Sequence, residues 1–132
     1  MSESEAAESS AFDALGGEAQ VRTLVDRFYD LMDLEPGFAP LRGLHPSTLD
    51  GSRDKLFWFL CGWLGGPDHY IERFGHPRLR ARHLPFAIGI AERDQWMDCM
   101  RLALAELSTP PALRERLEAS FLNTADWMRN TP

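Results

Sequence analysis

An all-α fold is what this sequence predicts, and three features predict it. Apolar residues recur at helical spacing in several separate stretches, Gly and Pro pairs punctuate the chain between them, and no run alternates apolar with polar as a half-buried strand would. A chain of 132 residues suits one domain with one hydrophobic core.

The elements follow in order. A short helix is expected at Ala11–Leu15, broken by Gly16-Gly17. From Glu18 to about Leu34, Val21, Leu24, Val25, Phe28, Tyr29 and Met32 fall on one helix face. Pro36-Gly37 and Pro40 then open a loop that runs through Arg42-Gly43-Leu44-His45-Pro46. Ser47 or Thr48 can cap the next helix, whose face carries Leu56, Phe59, Leu60, Trp63 and Leu64. Phe57, Trp58 and Cys61 widen that face almost all the way round, as in a helix that is deeply buried or faces a large ligand. After Gly65-Gly66-Pro67, residues Asp68 to His83 are expected to form a loop followed by one or two helical turns ending at Pro85. Trp96, Cys99, Met100, Ala103, Leu104 and Leu107 mark a helix from Ala91 to about Leu107. Beyond Pro110-Pro111, Leu113, Leu117, Phe121, Thr124 and Met128 mark the last one. There is no internal repeat.

Composition narrows the function classes. A net charge of −6 disfavours non-specific binding to nucleic acid or to anionic membranes, both of which need a cationic face. The start, MSESEAAESS, has neither the basic nor the apolar stretch of a signal peptide, and residues 1–10 are expected to be a disordered acidic tail before a single domain over 11–132. The longest apolar run, Leu56 to Leu64, is far below the ~20 residues of a membrane span. Cys61 and Cys99 form no CxxC pair, so neither a disulfide framework nor a structural zinc site is legible, and buried free thiols suit a cytoplasmic setting.

Several residues break the pattern of core and surface. His83 shares its short helix with Arg78, Arg80 and Arg82 and precedes Leu84, Pro85 and Phe86. A histidine in a short helix is more often packed or exposed than a ligand, yet an axial nitrogen, apolar contacts and cations are what one side of a haem pocket needs. Arg80 and Arg82 can each pair with a carboxylate, or they can simply be solvated. Tyr29 and Trp96 bring an O–H and an N–H donor to apolar faces, either to meet a backbone carbonyl or to point at a polar ligand in a dry pocket. His45 lies in a loop before Pro46, and His76, before Pro77, can serve as a helix cap. His69 gives no signal. A zinc site at His76 and His83 would lack further ligands.

Taken together, these residues resemble the truncated haemoglobins, group II in particular. The resemblance spans Phe12 to about Met128. It rests on Phe12-Asp13-x-Leu15-Gly16-Gly17, Arg27-Phe28-Tyr29 and Trp63-Leu64-Gly65-Gly66-Pro67, then on Phe74-Gly75-His76-Pro77-x-Leu79-Arg80-x-Arg82-His83-x-Pro85-Phe86, and finally on Glu92-Arg93-Asp94-x-Trp96. The resemblance implies a two-over-two helical sandwich, a shortened globin, around one haem b. It implies His83 as the proximal iron ligand and Tyr29, His45 and Trp96 as a polar distal cage. Ser52 takes the distal position that is histidine in many globins, Leu56 and Phe59 pack on the distal haem face, and Phe86 lies on the haem contact surface. Tyr70, Arg80 and Arg82 are the candidates for the propionates.

The function this implies is reversible binding of O₂, CO and NO at a His-ligated iron, in a cytoplasmic protein served by a reductase. Two other readings remain: a redox enzyme, peroxidase-like or NO-dioxygenating, with peroxide or NO as substrate; and a haem-free helical module whose arginines bind an acidic partner.

Overall fold

The computed structural model describes residues 10–132, so the tail expected over 1–10 lies outside the described residues except for Ser10. Ser10 is the N-cap of α1 (Ala11–Leu15), its hydroxyl accepting from the Asp13 amide at 3.1 Å. Helix α2 (Glu18–Leu34) buries Val21, Leu24, Val25, Phe28, Tyr29 and Met32, the face that helical spacing predicts.

Where a loop is expected, a 3₁₀ turn (Pro36–Phe38) and the one-turn helix α3 (Ala39–Arg42) follow. Each carries a proline in its first turn, where the missing N–H would have had no helical partner anyway. Helix α4 (Asp50–Trp63) has buried Leu49 at its N-cap, with no side-chain cap from Ser47 or Thr48. The segment expected as loop plus turns contains two short helices, α5 (His69–Phe74) and α6 (Leu79–His83). Arg78 enters α6 at φ 48°, a left-handed conformation that costs a non-glycine residue about 1–2 kcal/mol. The last two long helices are α7 (Ile90–Ala105) and α8 (Pro111–Trp127). There is no strand among the described residues.

The long helices make two layers of two. Helix α2 packs on α4 and α7, and α7 packs on α8. Trp63 of α4 stacks on Phe121 of α8, ring centroids 4.8 Å apart, and ties the pairs together. Phe28, fully buried, stands between Tyr29 and Trp96, with ring centroids at 5.0 and 5.1 Å. The glycine pair after α4 has a steric purpose: a Cβ on Gly66 would come within 2.6 Å of the Phe12 ring. Phe12 also donates its amide to Leu64 O at 2.9 Å, so α1 closes over the end of α4.

Cys61 and Cys99 are buried free thiols, held up at about 11 and about 12 chiefly by burial. No helix among the described residues is long and apolar enough to cross a membrane.

Candidate functional site

His83 ends the single turn of α6. Its Nδ1 lies 2.6 Å from the Leu79 carbonyl, four residues back. A carbonyl only accepts, so Nδ1 carries the proton and donates, and Nε2 keeps a bare lone pair. That tautomer is the one a metal-ligating imidazole needs. Sequence spacing places Leu79 and His83 on one face; the structure turns that shared face into a hydrogen bond.

The segment around His83 is held by a residue that sequence reasoning missed. Asn130, just past α8, donates its side-chain N–H₂ to Phe86 O at 2.8 Å and to His83 O at 3.3 Å. Its side-chain oxygen accepts from Ile88 N at 3.0 Å, and its own amide donates to Ile88 O at 2.9 Å. These bonds join positions more than 40 residues apart, so no local pattern could reveal them. His76 does not cap α6, whose N-cap Arg78 has no side-chain cap; its Nδ1 instead accepts from the Arg78 amide at 3.1 Å, just before the helix.

The arginines of α6 divide their tasks. Arg80 Nη1 donates to the carbonyls of Trp127 (2.6 Å) and Arg129 (2.8 Å), and its guanidinium lies 5.4 Å from the centre of the Trp127 ring. Arg82 bonds Pro77 O through Nε at 2.7 Å, which leaves both terminal nitrogens outside the hydrogen bonds of the described residues. Its guanidinium sits 5.8 Å from the centre of the buried Tyr70 ring.

A cavity of about 650 Å³ opens between α4, the segment entering α6, and the end of α8. Phe59, Trp63, Leu79, Arg80, Trp127 and Met128 are among its walls. A smaller one of about 160 Å³ adjoins it through Phe59, Trp63 and Pro77 and includes Tyr70. The exposed face of α4 is correspondingly incomplete: Leu56, Phe57, Phe59 and Trp63 are only partly covered. Beside His83, Leu84 is 56% and Phe86 42% exposed, and Trp127 across the cavity is 64% exposed. Exposed apolar side chains of this size suit a flat apolar group; His83, Phe86, Tyr29, His45 and Trp96 lie outside the linings of these two cavities.

Tyr29, His45 and Trp96 gather from α2, the turn after α3, and α7. The rings of Tyr29 and His45 stand edge-on with centroids 5.9 Å apart, and Trp96 reaches them through Phe28. Neither the Tyr29 hydroxyl nor the Trp96 N–H joins a hydrogen bond among the described residues, and neither is sealed away from solvent. Burial pushes the Tyr29 phenol well above its ordinary value despite the nearby Arg53 charge, so it stays a donor. His45 Nδ1 meets the Leu41 carbonyl at 3.0 Å, again four residues back, so its Nε2 is an acceptor in the neutral ring. Burial lowers the His45 pKa, opposed by that bond and assisted by the charges of Arg42 and His83. Ser52 is half-buried in the first turn of α4.

A two-over-two helical sandwich, with an apolar cavity and a histidine whose Nε2 is bare, is the architecture of a globin. The comparisons agree. Residues 10–130 match the bacterial-like globin family. A curated relative, "Group 2 truncated hemoglobin YjbI" of Bacillus subtilis (strain 168), is 40% identical over 114 residues, 86% of this chain and 84% of that one. The cold-adapted truncated haemoglobin of Pseudoalteromonas haloplanktis TAC125 superposes with a TM-score of 0.91 at 44% identity, over 94% of this chain and 100% of its own. The group II 2-on-2 haemoglobin of Agrobacterium tumefaciens gives 0.90 at 44% identity, over 94% and 96%. The chain belongs to the bacterial-like globins, within them to the group II truncated haemoglobins.

The residues present fit the haem that this family implies: the His83 tautomer is that of an iron ligand, and the apolar walls and the arginines match a flat ring with carboxylate arms.

Two predictions follow from this geometry. Asn130→Ala removes three side-chain bonds and is expected to cost about 1–3 kcal/mol in chemical denaturation; hydrogen exchange should quicken at the Ile88 amide, which loses its acceptor. His45 has a folded pKa below its unfolded one, so its contribution to stability is present above pH ~6.5 and lost as pH falls through that value toward the folded pKa. Denaturation midpoints between pH 8 and 5 should fall less steeply for His45→Gln than for the parent; identical slopes would remove His45 from the acid response.

Proposed function

We propose that the protein holds a b-type haem through Nε2 of His83 and reversibly binds O₂, CO and NO at its iron. The observation that carries this is the 2.6 Å bond from His83 Nδ1 to Leu79 O, which fixes the ligating tautomer and the ring direction together. A haem held there would supply the iron at which a diatomic ligand binds.

The chain supplies the rest. Leu56, Phe59 and Phe86 offer apolar surface to the flat ring, and Ser52 is too small to crowd it. Arg82, with free terminal nitrogens beside Tyr70, is the first candidate to meet a propionate; Arg80 is the second, since part of its guanidinium already ties α6 to the end of α8. On the ligand side, Tyr29 and Trp96 donate while neutral His45 accepts. The single Tyr29 proton goes either to Nε2 of His45 or to the bound ligand, so Trp96, which has no hydrogen-bond acceptor among the described residues, is the donor free for the ligand. Donors placed at a largely buried site stabilise the negative charge that develops on a reduced diatomic, so escape of O₂ should be slow. Two buried free thiols fit a reducing compartment, where a reductase can keep the iron ferrous.

The decisive measurement is the absorption spectrum of the purified protein, ferric, reduced and under CO. A Soret band that shifts with CO, and is lost or altered in His83→Gly, is the expected result. A colourless protein with no saturable haemin binding would overturn the proposal and leave the helical interaction module. In stopped-flow experiments, Trp96→Phe should raise the O₂ dissociation rate several-fold; an unchanged rate would remove Trp96 from the ligand side.

A further inference from the structure

We propose a second metal site, independent of the haem, in which Glu18, Cys61 and His69 bind Zn²⁺ or a divalent ion of similar softness. One ligand atom from each residue lies within 4.8 Å of the other two. His69 Nε2 already stands 2.9 Å from Glu18 Oε1. Two ligand atoms on a tetrahedral zinc, with bonds of about 2.0–2.3 Å, stand roughly 3.3–3.8 Å apart. The three atoms thus need shifts of an ångström or so, within the range of side-chain rotation.

The site joins three elements. Glu18 opens α2, Cys61 lies on the buried side of α4, and His69 opens α5. Phe57 lies nearly parallel to the His69 ring, at 6.3 Å and 22°, and limits its rotation. The donor set is one sulfur, one nitrogen and one oxygen. Thiolate and imidazole select against Mg²⁺ and Ca²⁺ and in favour of zinc and its neighbours. Three protein ligands leave a fourth position for water, as in open zinc sites. A simple ion pair accounts for Glu18 and His69, yet not for a buried thiol set beside both.

The chemistry balances. The Cys61 S–H bond breaks, its proton goes to solvent, and a sulfur–metal bond forms. Neutral His69 shifts its proton from Nε2 to Nδ1 and gives Nε2 to the metal. Glu18 binds as the carboxylate it already is. No electrons are exchanged, and a 2+ ion with one thiolate and one carboxylate is neutral overall.

The test is calorimetric titration of Zn²⁺ into the full-length, haem-loaded protein, beside Cys61→Ser and His69→Ala. One ion per chain is expected, with at least tenfold weaker binding in either variant and no change in the Soret band. Because Cys61 is buried and its variant can misfold, zinc-edge X-ray absorption of the parent is the second measurement. One sulfur at about 2.3 Å supports the site. A shell of nitrogen and oxygen alone overturns it, as does binding in His69→Ala equal to the parent. Loss of haem binding would sink the functional proposal above and leave this one standing, since none of its ligands touches His83.

Discussion

The hydrogen bond from His83 Nδ1 to Leu79 O is the constraint on which the site depends. It fixes a tautomer, a ring plane and a direction at once, and it exists only while α6 keeps its single turn. Five residues of helix cannot hold themselves together in water, because nucleating a turn costs more than one bond returns. The turn is instead held from outside. Asn130 grips its exit, Arg80 fastens its middle to the carbonyls ending α8, and His76 accepts from the amide of Arg78 just before its entry, where Arg78 takes a left-handed backbone. Each of these ties reaches the last helix or the turn before α6, so the ligand geometry inherits the rigidity of α8.

The second half of the site draws on the core instead. Tyr29 and Trp96 are carried by α2 and α7, the two helices that Phe28 and the Cys99-to-Phe28 carbonyl bond at 3.1 Å hold in register. Arg53 of α4 reaches Asp30 at 2.7 Å and Asp26 at 3.3 Å, which sets α4 against α2. These pairs are partly solvated and individually add about 1 kcal/mol or less; their effect is orientation. Helices α2, α4 and α7 therefore form a frame whose packing is settled by apolar burial, with Tyr29 and Trp96 set into it on either side of Phe28.

The limits of sequence legibility follow the same division. The four long helices were legible because their apolar stripes repeat over many turns, and His83 stood out because it shares a short segment with three arginines. Helix α5 escaped because six residues give too few periods to count, and α3 because its prolines read as loop signals, although they are tolerated in a first turn. Neither Ser47 nor Thr48 caps α4, since the buried Leu49 takes that position. Asn130 had no local signal because its partners lie on the far side of α7 and α8 in sequence. Glu18, Cys61 and His69 were invisible for the same reason: spacing rules recognise metal ligands on one loop or one helix face, and these come from three helices.

His45 and His83 are built alike, and the comparison separates their roles. Each sits at the end of a one-turn helical segment and gives its Nδ1 proton to the carbonyl four residues back. Each therefore presents Nε2 as a lone pair, and local structure alone does not tell them apart. Their neighbours do. His45 faces the edge of Tyr29, a phenol that burial keeps protonated and that has no other partner among the described residues. A donor so placed can claim the lone pair of His45. Among the described residues the His83 ring makes no hydrogen bond beyond the one to Leu79 O and pairs with no aromatic ring. The chain thus makes two histidines of one tautomer and sets Tyr29 beside His45, the pairing on which the proposed ligand role of His83 rests.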